Sequence, residues 1–246
     1  NHCRLTAAAC AKVGLKCHLL LGGEKPKAYN GNLLLSHLFG AEIHFTGNNR
    51  KGEDIPVIFE ELKNKGNKPY IVPYGGSNTI GALGYVNAVL EIKKQVEEIQ
   101  IPIDYIVFAS SSGGTQAGLI AGCEMYQCSS KVIGISIDKD ETNGQTLENI
   151  TEKLVSDVLK LHDYENIEKN QNINLMRDYD NAGYGVVTEN ERKAIRLMAE
   201  NEGILLDPVY TGRAFYGMMD LMEKKKLKPG SNVLFLHTGG IPANFY

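Results

Sequence analysis

The 246-residue chain contains no tryptophan, eight prolines and five cysteines, and none of the cysteines stands in a Cys-x-x-Cys pair. An odd thiol count without such pairs excludes a disulfide framework and a zinc ribbon, and it predicts a reducing compartment, the cytoplasm. No run approaches the roughly 18–20 uninterrupted apolar residues of a membrane-spanning helix. With 26 basic against 29 acidic residues, the net charge of −3 leaves no basic stripe for nucleic acid. The Ala-rich opening is interrupted by Arg4 and Lys12, so it predicts a core-facing helix rather than a signal peptide. Cys3 and Cys10, seven residues apart, share one face of that helix and read as small buried packing groups. His2, His18, His37, His44, His162 and His237 show neither H-x-x-x-H nor H-E-x-x-H spacing, so no metal site is predicted.

What the sequence does have is glycine, 26 of them, at the joints of an alternating pattern. Helices are predicted at 2–13, 33–39, 55–65, 79–96, 116–126, 189–201 and 211–225. Short apolar strands are predicted at 16–21, 41–46, 69–73, 105–109, 132–137 and 233–236. The segment from Leu147 to Met176 reads as a polar, amphipathic and peripheral helical region. No internal repeat or flexible linker occurs. Alternation of this kind requires crossover helices on both faces of parallel sheets, so the fold class is α/β.

Three strand-ending turns are rich in glycine and small hydroxyl residues: 74–78, 110–115 and 237–240. In open parallel sheets ligands gather beyond the carboxyl ends of the strands, where these turns would lie. Between a buried-type strand and a helix, the backbone N–H groups of Ser112, Gly113, Gly114 and Thr115 are candidates to hold a phosphate. The loop lacks the G-K-[ST] of a P-loop and the G-x-G-x-x-G of a dinucleotide site. Tyr74, Tyr184 and Tyr210 lie in or beside glycine-punctuated segments and could donate or move a proton. Asp207-Pro208 and Asn78 are more simply helix-entry signals.

Together, Asn1-His2-Cys3-Arg4, Tyr74-Gly75-Gly76-Ser77-Asn78, the Gly113-Gly114-Thr115 loop, Asp207-Pro208-Val209-Tyr210-Thr211-Gly212 and His237-Thr238-Gly239-Gly240 resemble, in order, the motifs of one family. It is the pyridoxal-phosphate enzymes that include D-cysteine desulfhydrase and 1-aminocyclopropane-1-carboxylate deaminase. The resemblance implies two open parallel-sheet αβα domains of the tryptophan-synthase-β-like class (fold type II), the smaller at 1–85 and the larger at 86–246, both incomplete. It implies pyridoxal 5'-phosphate as cofactor, a small amino-acid substrate and a homodimer. Ser112, Gly113, Gly114 and Thr115 would hold the phosphate, Asn1 the pyridine 3-hydroxyl, and Thr211 or Thr238 the pyridine nitrogen. Asn1 and His2 would receive the substrate carboxylate, and Tyr184 and Tyr210 would handle protons.

A Glu is expected at the position of Thr211 in the deaminase branch, so the Thr favours α,β-elimination of D-cysteine to hydrogen sulfide, pyruvate and ammonia. The cyclopropane deaminase, a sulfo-lyase acting on cysteate and a non-catalytic phosphate-binding remnant are the alternatives. The family's Schiff-base lysine and the Ser beside its Asn-His motif precede the first residue here, and no lysine of this chain stands in a catalytic context. The 246 residues by themselves are therefore expected to be N-terminally truncated and incompetent in turnover.

Overall fold

The computed structural model describes residues 1–138, 144–164 and 173–245, which divide between two units, Asn1–Gly76 with the C-terminal tail from Pro242, and Ser77–Ile241. In the first unit the Ala-rich segment forms α1 (His2–Val13), followed by β1 (His18–Leu21), α2 (Gly31–Leu38), β2 (Glu42–Phe45) and α3 (Ile55–Asn64). Strands β1 and β2 pair in parallel, with His18 opposite Glu42 and Leu21 opposite Phe45. Small side chains let α1 lie close to this sheet: Ala7, Cys17, Leu19 and Ala41 form the buried cluster, with Cys3 and Cys10 packed against it. All five cysteines are free thiols. Burial, followed by the neighbouring Cys10, pushes the Cys17 thiol up to about 12, which makes it a packing group rather than a nucleophile.

In the second unit Asn78 begins α4 (Thr79–Ile99), its side-chain Oδ1 accepting the Gly81 N–H at 2.8 Å. The helix-entry reading of Asn78 is thus what the structure contains. Strands β3 (Tyr105–Ser110), β4 (Lys131–Ser136), β5 (Asn174–Met176) and β6 (Val233–Phe235) form one parallel sheet in the order β5-β4-β3-β6. Along β3 the side chains alternate between two buried faces. Ile106 and Phe108 pack with Val89 of α4 and Leu119 of α5 (Gly114–Met125), while Val107 packs with Ala214, Met218 and Leu221 of α8 (Thr211–Glu223). That double burial explains why β3 reads as an unbroken apolar run.

Three expectations change. The segment 147–176 is neither peripheral nor helical to its end: α6 (Leu147–Leu161) buries Leu154, Val155, Val158 and Leu159 against α4 and α5, and 174–176 is the strand β5. Residues 165–172 of that segment lie outside the described residues. A three-residue strand is too short to show periodicity, and only its pairing with β4 defines it. The strand expected at 69–73 pairs with no other strand among the described residues. Tyr70 is 72% exposed there, and Pro69 and Pro73 are without the N–H groups a ladder needs. The domain limit expected near residue 85 falls inside α4, whereas the chain passes from one unit to the other between Gly76 and Ser77.

Candidate active site

The sheet order places β6 and β4 on opposite sides of β3, so the chain's winding reverses at the β3/β6 pair. Ligands of open α/β sheets bind at such a reversal, beyond the carboxyl ends of the strands. The loops leaving those two ends are 111–113 and 236–240.

At the first loop Gly113 is the N-cap of α5 with φ +84, and a Cβ there would come within 2.8 Å of Thr151 Oγ1. Only glycine meets both conditions. The N–H groups of Thr115 and Gln116, in the first turn of α5, have no acceptor among the described residues, and neither has the Thr115 hydroxyl. Gly114 is already committed, because its N–H donates to Ser77 Oγ (3.1 Å), whose hydroxyl donates to Ser112 Oγ at 2.7 Å. The expectation that Gly114 N–H points at an anion is therefore corrected. Ser77 takes that donor, and its hydroxyl and that of Ser112 line the same loop. Gln116 anchors the turn from below, accepting from Ser110 Oγ (2.9 Å) and donating to the Asn174 carbonyl (3.0 Å). Orphan donors at a helix N-terminus, beside hydroxyls and a glycine whose left-handed φ shapes the turn, fit a phosphate dianion.

At the second loop His237 Nδ1 accepts the Gly239 N–H (3.0 Å) while Nε2 lies 3.0 Å from the Leu205 carbonyl, which assigns the proton to Nε2. His237 thereby fixes the turn, and the half-buried Thr238 hydroxyl makes no hydrogen bond among the described residues. Gly240 lies against Asp207, where a Cβ would sit 2.6 Å from the carboxyl.

Asp207 is fully buried and organises the entry to α8. Oδ2 accepts the N–H groups of Val209 and Tyr210 at 2.9 Å, and Oδ1 accepts the Thr211 N–H (2.8 Å) and hydroxyl (2.7 Å). The helix-entry reading of Asp207 holds, with the carboxylate as its physical agent. The Thr211 hydroxyl is spent on this carboxylate and is 1% exposed, so of the two candidates for the pyridine nitrogen Thr238 has the available hydroxyl. Replacing Asp207 by alanine strands four donors. Because a hydrogen bond to a charged group contributes about 1.5–3 kcal/mol, the urea midpoint is expected to fall by the equivalent of at least about 2 kcal/mol.

The two expected proton handlers meet. Tyr184 and Tyr210 hydroxyls are 2.7 Å apart, with their rings edge to face at 5.9 Å. Tyr210 is placed by Asp207. Tyr184 stands on the turn 183–186, which a residue outside every sequence motif holds in place. Arg213, 1% exposed on α8, donates Nη1 to the carbonyls of Gly183 and Ile137 (both 3.0 Å) and Nη2 to that of Val186 (2.8 Å). Its Nε donates to Glu191 Oε1 at 2.7 Å. Glu191 is also the third residue of α7 (Glu189–Glu202), where it closes a capping box with Thr188. Burial pushes the Glu191 carboxyl up, but the bonds from Thr188 and Arg213 outweigh it and hold the group below its ordinary 4.5.

Asn1 and His2 lie in the other unit, at the start of α1, where the His2 ring rests against Gly76 and burial lowers its imidazole below 6.5. Tyr74 is also in that unit, in a short 3-10 turn at Tyr74–Gly76.

Residues 1–239 match the family model described as pyridoxal-phosphate dependent enzyme. The chain is 38% identical over 251 residues to D-cysteine desulfhydrase of Klebsiella pneumoniae (strain 342), covering all of this chain and 74% of that protein. It is 39% identical over 250 residues to a protein of Pyrococcus abyssi (strain GE5 / Orsay) provisionally named 1-aminocyclopropane-1-carboxylate deaminase, covering 72% of it. The crystal structure of an ACC deaminase homologue superposes with a TM-score of 0.88 at 38% identity, over all of this chain and 72% of that one. Serine racemase from Dictyostelium discoideum shares the fold at a TM-score of 0.62 and 16% identity, over 97% of this chain and 73% of that one. A glycine turn with orphan backbone donors at the sheet's reversal, an available hydroxyl on the neighbouring loop and a phenol pair agree with this likeness, and the chain belongs to the family of pyridoxal-phosphate-dependent enzymes.

Proposed function

We propose that the protein is a lyase that eliminates hydrogen sulfide from D-cysteine, consuming one water and giving pyruvate and ammonia. The observation that carries this reading is the residue beside Tyr210. Thr211, its hydroxyl spent on Asp207, is a neutral residue where the deaminase branch of the family is expected to carry a Glu. The 38% identity to a D-cysteine desulfhydrase supports it.

Pyridoxal phosphate, when bound, supplies the electron sink that makes a proton at Cα of an amino acid removable. The chain's own residues do the rest. Thr115 and Gln116 N–H groups, with the hydroxyls of Ser112 and Thr115, hold the phosphate. Thr238 faces the pyridine nitrogen, and as a neutral hydroxyl it leaves that nitrogen unprotonated, which tempers the sink and suits elimination. The phenol pair, its hydroxyls in contact, is assigned to protonate the departing thiolate. Asn1 and His2 are assigned to the pyridine 3-hydroxyl and the substrate carboxylate. The first unit corresponds in this reading to the family's smaller domain and the second to the larger, the whole acting as a cytoplasmic homodimer. Five free thiols support the reducing compartment, and no helix among the described residues is long and apolar enough to cross a membrane.

The test is product analysis on the cofactor-loaded protein offered D-cysteine, cysteate and 1-aminocyclopropane-1-carboxylate in turn, with intact mass taken after borohydride reduction to find the labelled lysine. Equal sulfide and pyruvate from D-cysteine is the expected result from protein that carries the family's Schiff-base lysine. Sulfite from cysteate, or a four-carbon keto acid from the cyclopropane, as the fastest reaction would replace this reading by one of the alternatives.

A further inference from the structure

Outside every motif discussed so far, β1 and β2 bring three metal-ligand side chains to one point. In the parallel register His18 stands opposite Glu42, and Leu20 opposite His44, so His18, Glu42 and His44 project from the same face of the sheet, away from the face that carries the Cys17 and Leu19 core. The ring nitrogens His18 Nδ1 and His44 Nε2 are 3.1 Å apart, and each lies 3.6 Å from one oxygen of Glu42. The imidazoles stack at 5.4 Å with an interplanar angle of 27°.

We infer that these residues form a binding site for a divalent borderline transition ion of the zinc class. Two bonds of about 2.0–2.1 Å meeting at the tetrahedral angle place their ligand atoms about 3.3 Å apart, close to the 3.1 Å between the two nitrogens, and because each nitrogen faces a different oxygen of Glu42 the carboxylate would close the site with both oxygens. Hydrogen bonding does not account for the set. The two nitrogens can share one proton between them, but both carboxylate contacts are too long for a hydrogen bond. Two imidazoles and one carboxylate make a donor set suited to zinc or cobalt rather than to magnesium or calcium. The imidazoles are mostly sheltered, with 18% and 25% of their side chains exposed, while Glu42 is 67% exposed. Solvent therefore reaches the ion's remaining position. The ion would clamp the first residue of β1 to β2, and a two-stranded sheet gains from such a tie.

The histidine spacing concealed the site because the ligands come from two strands 24 residues apart in sequence, His18 to Glu42, and only the parallel register superimposes them.

The test is titration of chelator-treated protein with Co2+ as a visible probe, followed by displacement with Zn2+. One equivalent is expected to give the intense visible bands of a four- or five-coordinate cobalt ion, with Zn2+ abolishing them. Glu42→Gln, an exposed change that leaves the fold intact, and His44→Asn are each expected to weaken binding by more than about tenfold, on the scale of perturbed metal sites. At a free ion concentration a hundredfold above Kd the folded-to-unfolded ratio should rise about a hundredfold. Absence of a saturable spectrum, equal affinity in both variants and the parent, or thiolate-to-cobalt charge-transfer bands that put the ion on Cys3, Cys10 or Cys17 would each overturn the inference. None of these readouts depends on lyase activity, so the site and the proposed reaction fail separately.

Discussion

Replacing Arg213 by alanine is expected to destabilise the second unit by about 3–5 kcal/mol, the cost of leaving a buried charge without its partner. The loss has two sources. Glu191 loses the guanidinium that faces it at 2.7 Å, and the carbonyls of Ile137, Gly183 and Val186 lose their donor. Adding Glu191→Gln to the Arg213 variant removes the stranded charge, so it should recover part of the stability, while the carbonyls stay unpaired. Chemical denaturation of the single and double variants measures both. If the single variant moves by less than about 1 kcal/mol, water is replacing the guanidinium and the site is wetter than its burial indicates.

The same pair sets an acid limit. Glu191, Glu148 and Asp220 are all held below their ordinary values in the folded chain. The Arg177 bond leads for Glu148. For Glu191 and Asp220 burial pulls upward and is outweighed, by Thr188 and Arg213 in the first and by Lys224 and Tyr179 in the second. A carboxyl depressed on folding contributes stability that is complete above its unfolded value, here 4.5 for glutamate and 3.8 for aspartate, and is lost as the pH falls through the folded one. The unfolding free energy should be flat with respect to these groups near neutrality and decline below about pH 4.5. Glu191→Gln should make the decline shallower.

Replacing Tyr210 by phenylalanine is expected to lower kcat for D-cysteine elimination by about 10²–10⁴-fold, the usual contribution of a positioned general acid or base. Cofactor binding should be unchanged, because the turn at 112–116 proposed to hold the phosphate and the available hydroxyl of Thr238 are separate from the phenol. Tyr184→Phe distinguishes the two hydroxyls. If Tyr184 only orients Tyr210 through the 2.7 Å bond, its loss should cost less than about tenfold and shift the pH profile. If it carries the proton itself, the larger effect moves to position 184. Equal rates for both variants and the parent would remove the phenols from the reaction.

The parts of this molecule that are legible in the sequence are those fixed by neighbours along the chain. The continuous apolar run of β3, the glycine and hydroxyl cluster after it and the Asp-Pro entry to α8 each occupy a few consecutive residues, and each forms the local structure expected of it. The errors lie where a partner decides. β5 has no signal of its own without β4, and the expected strand at 69–73 has no strand to pair with among the described residues. α6 reads as peripheral because its polar side dominates the composition, yet its narrow apolar face meets α4 and α5.

Motif order along the whole chain was enough to determine the family and its cofactor, because each motif is a short local turn whose glycines and hydroxyl residues are visible in one dimension. Tertiary structure alone decided which atoms are free to act. It gave the Gly114 N–H to Ser77, spent the Thr211 hydroxyl on Asp207 and left that of Thr238 available. It also brought Tyr184 to Tyr210, chose Arg213 as the clamp on the turn that carries Tyr184, and set His18, Glu42 and His44 around one point. Hydrogen bonds and ligand sets act over about 3 Å in space, and residues 24 or 26 positions apart reach that distance only through the register of a sheet or the closure of a loop.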